Sequence, residues 1–186
     1  IKCPTSAYYG WQGYTSRNGD DEFLAFLSEE GQAVGRAAHH LFAEGQHVRH
    51  KQPERAYIQT RDLLQSENAV LFEGCLIAEQ FLARPDVLIR KGGQLYLVEV
   101  KSKLGNLADH RSGKMLFNCY GDIRAAWKDY VYDLAFQCAV AQRAFPDLEV
   151  IPWLLLPEAQ SPSNSDVITK SEAPVTLDQT AIQERR

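Results

Sequence analysis

The chain has 186 residues, of which 45% are hydrophobic and 24% are charged. These fractions are those of an ordinary soluble globular protein, and the length predicts one domain that can bury a core. No apolar run reaches the length of a membrane span and no secretory signal is visible. We therefore expect a cytoplasmic protein that does not contact a membrane.

The four cysteines stand singly, with no Cys-x-x-Cys pair: Cys3, Cys75, Cys119 and Cys138. This spacing favours a reducing compartment over a disulfide framework. Cys75 and Cys138 are expected to be small buried hydrophobic residues.

The net charge of −4 argues against nucleic-acid binding, but the charge is unevenly distributed. Residues 84–128 contain nine Lys or Arg and four Asp or Glu, a local net charge of +5, which leaves −9 for the rest of the chain. A basic region within an acidic chain is what a phosphate-binding surface would look like. A solvated loop explains the same charge, and composition alone leaves both interpretations open.

Seven elements are predicted in the order helix, helix, three strands, helix, strand, at residues 20–43, 54–65, 69–77, 82–91, 94–101, 122–145 and 148–156. The last run is continuously apolar and is predicted to be a buried strand. The order predicts an α/β domain over residues 1–157, whose mixed β-sheet contains an antiparallel meander and is flanked by helices. Residues 158–186 are polar, which predicts a tail or linker and suggests a further domain or partner beyond it.

Two carboxylates are predicted to face each other on a hairpin. Gly92-Gly93 separates two strand-like runs, which favours a two-residue turn. Counting outward from that turn places Asp86 opposite Glu99, with Cβ atoms roughly 4.5–5.5 Å apart. Lys101 projects from the same face as Glu99. Because opposed like charges are destabilising, this arrangement predicts a bound divalent cation.

The same count extends one strand further. A turn centred on Glu79-Gln80 places Glu73 opposite Asp86, so that three acids would form a row across neighbouring strands. Hard oxygen ligands of this kind suit Mg²⁺ or Mn²⁺, with waters and a substrate phosphate completing the octahedron. A surface strand with alternating charges is the alternative, because an acid-x-Lys triplet occurs by chance about once in a chain of this size.

Pro85-Asp86, twelve residues and then Glu99-Val100-Lys101 resemble the signature of the PD-(D/E)XK nuclease superfamily. Four flanking motifs resemble RecB-like nucleases, including CRISPR-associated RecB-type exonucleases and a related, poorly characterised predicted family. They are Lys2-Cys3-Pro4, Glu30-Gly31 to Gly35, Phe72-Glu73 with Leu82-Ala83-Arg84, and Ala135-Phe136-Gln137. The resemblance covers about residues 2–156 and implies a restriction-endonuclease-like core.

The chain departs from this pattern at three points. Gly35 stands where many RecB-like enzymes have a metal-binding His, although His39 lies one turn further on. Ala141 stands where many have a Tyr. The CRISPR-associated relatives bind an iron–sulfur cluster through one early and three late cysteines, and this chain matches only Cys3, so no cluster is predicted.

The resemblance implies a metal-dependent deoxyribonuclease. Asp86, Glu99 and the Val100 carbonyl would hold Mg²⁺ or Mn²⁺, with Glu73 in or near the ligand shell. Lys101 would orient the attacking water or stabilise charge in the transition state. Gln137 would be an active-site contact, and a hydrogen-bonded amide at the edge of the core is its alternative interpretation. Five basic residues would contact the nucleic-acid backbone, DNA more readily than RNA: Lys103, Arg111, Lys114, Arg124 and Lys128. Cleavage is expected to be exonuclease-like and to leave a 5′-phosphate. The alternatives are a degenerate nuclease fold that binds DNA or assembles with proteins, and a phosphohydrolase of small substrates.

Overall fold

The computed structural model describes residues 8–9, 12–14, 22–42, 44–106, 109 and 112–158, with only the backbone for residues 22–30. Two compact units are distinguished, Ile1–Ala33 and Val34–Arg186. The predicted tail lies outside the described residues except at Glu158. None of the helices in the described ranges has the length and hydropathy needed to cross a membrane.

The described residues form three helices and seven short strands, five of which follow one another between the second and third helices. They are α1 (Glu22–Leu41), β1 (Gln46–His47), α2 (Pro53–Leu63), β2 (Asn68–Phe72), β3 (Leu76–Ala78), β4 (Phe81–Ala83), β5 (Val87–Lys91), β6 (Gln94–Val100), α3 (Ala125–Ala144) and β7 (Glu149–Leu155). The three helices and the central strands confirm the predicted α/β class. The two-residue strand β1 was not predicted, because two polar residues carry no strand-like pattern.

Five strands form a mixed sheet in the order β1-β2-β5-β6-β7, and β3 pairs with β4 in a separate two-stranded sheet. Strands β2, β5 and β6 form the predicted antiparallel meander, while β1 and β7 add in parallel at the two edges. The predicted registers are correct. Lys91 pairs with Gln94 across the Gly92-Gly93 turn, and Ala78 pairs with Phe81 across Glu79-Gln80.

The predictions of continuous strands at 69–77 and 82–91 are wrong, because each run is divided into two pieces. Glu73 has a φ of 55°, a conformation outside the β region that ends β2. Pro85 has no N–H to donate to a ladder and separates β4 from β5. The bend redirects β3 and β4 onto the surface of α3, while the residue pairing predicted for the meander is kept on both sides of the break.

Replacing Gly74 with Ala is expected to lower the free energy of unfolding by about 1–3 kcal/mol, the usual cost of overpacking a core. A Cβ at Gly74 would lie 2.5 Å from Cδ1 of the fully buried Leu88. Gly93→Ala is the control, since a Cβ there meets no atom within 4 Å. Urea unfolding of both variants measures the effect, and equal stabilities would show that Leu88 adapts without cost.

The main core lies between the sheet and α3. Leucines of β2, β3, β5 and β6 pack there against Val140 and Ala141 of α3: Leu71, Leu76, Leu88, Leu95 and Leu97. The prediction of a buried final strand is wrong in degree. Residues 150–155 of β7 are half-buried, because this strand lies at the edge of the sheet.

The cysteines within the described ranges are free thiols. Cys75 is fully buried, as predicted, and Cys138 is partly buried against the main core. Burial raises the pKa of the Cys138 thiol to about 11, which leaves it protonated and unreactive at neutral pH. Cys3 lies outside the described residues.

Candidate active site

Glu99 is the centre of a polar cluster at the end of β6. Its side chain is buried beneath α3, with a residue exposure of 5%. Oε1 lies 2.5 Å from Nζ of Lys101, and Oε2 accepts a 2.8 Å hydrogen bond from Nε2 of Gln137. The two-residue period of a strand places Glu99 and Lys101 on the same face. A buried carboxylate is thus held between one cation and one amide.

Asp86 lies beside this cluster, directly before β5. The β5–β6 ladder pairs Val87 with Val98, so one further step places Asp86 opposite Glu99, as predicted. Its Oδ2 accepts a 2.6 Å hydrogen bond from the N–H of Val100. Burial raises the pKa of Glu99, and the nearby charge on Asp86 adds to that shift.

Asp133 belongs to the cluster and was not predicted from the sequence. Its Oδ2 lies 3.3 Å from Nζ of Lys101. Asp133 precedes Gln137 by four residues in α3, so both side chains lie on the same helix face, one turn apart. The four-residue spacing between Asp133 and Gln137 is the sequence signal that could have identified Asp133. It is informative only in combination with the contact between Lys101 and α3.

Burial governs the protonation of this site. It raises the pKa of Asp86, where the Val100 N–H opposes the shift and the charge of Glu73 adds to it. It also raises the pKa of Glu99, where the hydrogen bond from Lys101 opposes the shift. Burial alone would lower the pKa of Lys101, but the hydrogen bond to Glu99 and the charges of Glu99 and Asp133 outweigh it and raise that pKa. Lys101 therefore remains a cation at neutral pH.

Replacing Asp86 with Asn is expected to stabilise the metal-free protein at neutral pH. A raised carboxyl pKa means that folding disfavours the ionised form of Asp86. The resulting loss of folding free energy is complete above the folded-state pKa and absent below the unfolded-state pKa of about 3.9. The stability advantage of Asp86→Asn should therefore narrow as the pH falls. Urea unfolding in chelator at pH 7 and near pH 4 measures both effects. A less stable variant at pH 7, or an advantage that does not change with pH, would contradict the role of burial.

Gln137 has one amide atom that no described residue satisfies. The side chain is 6% exposed, and while Nε2 donates to Glu99, the buried Oε1 has no hydrogen-bond partner in the described part of the chain. Unsatisfied buried polar atoms are rare in folded proteins and mark positions where a water or ligand is expected. The site thus offers a free acceptor beside the Glu99 carboxylate.

The other predicted ligand positions lie apart from this cluster or on its rim. Glu73 is exposed, and its N–H donates to the Asp86 carbonyl at 3.0 Å. The His39 ring packs against the rings of Phe72 and His47, with centroids 4.1 and 4.9 Å away. Among the described residues, no three His, Cys, Asp or Glu side chains are grouped to hold a metal ion.

Two positions where the chain departs from the RecB-like pattern lie in different surroundings. A Cβ added at Gly35 would meet open space, whereas Ala141 is fully buried in the core.

The predicted phosphate-contacting residues that the structure describes lie near the N-terminal end of α3. Nζ of Lys103 donates to the Ala126 carbonyl at 2.7 Å and lies 4.3 Å from the centroid of the Trp127 ring. The Arg124 guanidinium donates to the Lys114 carbonyl at 2.9 Å. Lys114, Arg124 and Lys128 are exposed, and Arg111 lies outside the described residues.

No protein-family model matches the chain. Neither the curated proteins nor the solved structures contain a match.

Proposed function

We propose that this chain is a metal-dependent nuclease that hydrolyses phosphodiester bonds at the cluster of Asp86, Glu99, Lys101 and Gln137. The observation that carries the proposal is the convergence of these four residues. They come from three separate segments of the chain, and hydrogen bonds link Lys101 and Gln137 to the same buried carboxylate. We further propose that the mixed sheet and α3 constitute a restriction-endonuclease-like core.

The donor chemistry of the cluster suits a hard divalent cation. Mg²⁺ is usually bound through only one or two carboxylates, with waters and substrate phosphates as its other ligands. Asp86 and Glu99 supply two carboxylates, and the Val100 carbonyl is the third predicted ligand. The unsatisfied Oε1 of Gln137 could accept a hydrogen bond from a water at the ion. Glu73 stays a predicted contributor at the rim.

The bound ion and the side chains of the site would have separate roles in the proposed hydrolysis. An Mg²⁺ or Mn²⁺ ion bound here would polarise the scissile phosphate and make the attacking water more acidic. Lys101, held as a cation, would stabilise the negative charge that develops on the phosphate in the transition state. Gln137 fixes the Glu99 carboxylate from the helix side, and the Val100 N–H fixes Asp86 from the strand side.

DNA is the proposed substrate, with exonuclease-like cleavage that leaves a 5′-phosphate. The exposed basic residues near the start of α3 support backbone contact, because phosphate contacts position a nucleic acid without reading its sequence. Lys103 is restrained by Ala126 and Trp127. It therefore presents a fixed positive charge two residues beyond Lys101.

Cleavage assays with purified protein test this function. Labelled linear and circular DNA, each single- and double-stranded, and free nucleotides are incubated with Mg²⁺, Mn²⁺ or chelator. Ion-dependent shortening of linear DNA that is lost in Lys101→Ala and Asp86→Ala supports the nuclease. Hydrolysis of nucleotides but not polymers would indicate a small-substrate phosphohydrolase instead.

A degenerate nuclease fold that acts as a DNA-binding or assembly module is the second candidate. Gly35 and Ala141 favour it, because both replace residues that many RecB-like enzymes carry. DNA binding that persists without any ion-dependent cleavage would favour this module over the enzyme.

A further inference from the structure

Asp133 and Glu99 bind the same ammonium group. Nζ of Lys101 lies 2.5 Å from Oε1 of Glu99 and 3.3 Å from Oδ2 of Asp133. The exposed fraction of the side chain rises from 7% for Glu99 to 25% for Lys101 and 48% for Asp133. The ammonium therefore has one buried and one half-exposed carboxylate partner.

The contact with Glu99 conflicts with the use of that carboxylate as a metal ligand. Both oxygens of the Glu99 carboxylate already have a partner. Oε1 contacts the Lys101 ammonium, and Oε2 accepts a hydrogen bond from the Gln137 amide. A divalent cation at Glu99 and the Lys101 ammonium repel each other, so the ammonium must weaken or leave its contact with Oε1 when an ion binds. If the ammonium left Oε1 and had no other acceptor, its half-buried charge would carry a desolvation cost that no contact offsets.

We propose that Asp133 is a positioning residue that retains Lys101 when Glu99 binds a divalent ion. The proposal depends on the metal site described above. Asp133 is suited to this role because α3 fixes its backbone, and Gln137, one turn later, anchors the same helix face to Glu99. Transfer of the ammonium from Glu99 to Asp133 keeps it paired and leaves it beside the site where the phosphate is expected.

The arrangement has a definite thermodynamic consequence. In the ion-free protein Lys101 has two carboxylate partners, and after ion binding it keeps only Asp133. Removing the Asp133 charge therefore costs more in the ion-bound than in the ion-free protein, and the affinity for the ion falls. This loss requires the ammonium. Without Lys101, Asp133 can act only as a negative charge at a distance.

Mn²⁺ binding to four proteins tests the proposal without any measurement of catalysis. Dissociation constants are measured by electron paramagnetic resonance, in the absence of nucleic acid, for wild type, Asp133→Asn, Lys101→Met and the double variant. Contacting residues couple strongly enough that Asp133→Asn should weaken binding about three- to tenfold more in the Lys101 background than in the Met background. Asp147→Asn, an exposed position beyond the end of α3, is the charge control and should change binding by less than about twofold.

Two outcomes would overturn the proposal in distinguishable ways. Mn²⁺ binding that Asp133→Asn weakens by the same factor in both backgrounds would make Asp133 a remote charge, while the metal site stands. Absence of Mn²⁺ binding by wild type would remove the metal site and the role of Asp133 together. Thermal unfolding checks each variant, and Lys101→Gln replaces Lys101→Met in the cycle if the Met variant does not fold.

Discussion

Replacing Lys101 with Met is expected to slow ion-dependent DNA cleavage by about 10²–10³-fold, the usual cost of removing one group that stabilises transition-state charge. The same change should leave Mn²⁺ binding intact or tighten it, because the ammonium beside Oε1 of Glu99 is removed. Initial cleavage rates at saturating Mn²⁺ and a separate Mn²⁺ titration measure the two effects.

Lys91→Met is the matched control for this change. Lys91 is an exposed lysine at the far end of β5, beside the hairpin turn, and its replacement should leave both rate and affinity unchanged. Equal rates for wild type and Lys101→Met would remove Lys101 from the mechanism. A parallel loss of Mn²⁺ binding would make it a structural residue of the site.

Replacing Glu99 with Gln is expected to abolish specific Mn²⁺ binding and to reduce cleavage by about 10³-fold or more, since an ion contributes several kcal/mol to charge stabilisation. The amide keeps the size of the side chain, and its oxygen can still accept the hydrogen bond from Gln137. The protein should therefore stay folded. Calorimetric Mn²⁺ titration and initial rates measure the loss.

Glu149→Gln controls for the removal of a carboxylate from the sheet. Glu149 is exposed at the start of β7 and accepts a 2.9 Å hydrogen bond from the Gln94 side chain. Its replacement should not affect the ion or the rate. If Glu99→Gln bound Mn²⁺ with wild-type affinity, the ion site would have to lie elsewhere.

The position of the carboxylates could be predicted because turn chemistry and strand periodicity fix a register. Gly92-Gly93 determined which residues pair across β5 and β6, and a count of pairs then placed Asp86 opposite Glu99. The same count was correct across Glu79-Gln80, although Glu79 adopts a φ of 55° that favours glycine. Local sequence thus determined the arrangement within one meander.

The parts that sequence did not reveal depend on contacts between distant segments. The break at Glu73 and Gly74 is accompanied by the close approach of Gly74 to Leu88 and by the packing of β3 and β4 on α3. No motif in the sequence distinguishes Asp133 from the other acidic residue of α3. Its contact with Lys101 depends on the packing of α3 over the end of β6, which no local sequence pattern indicates.

The dependence of the cleavage rate on Mn²⁺ concentration tests the central claim most directly. Labelled linear DNA is incubated with wild type or Asp86→Asn over a range of added Mn²⁺. We expect no cleavage in chelator, a saturable increase in rate for wild type and none for Asp86→Asn. Cleavage in chelator, or the same Mn²⁺ dependence for both proteins, would contradict a metal-dependent nuclease site at Asp86 and Glu99.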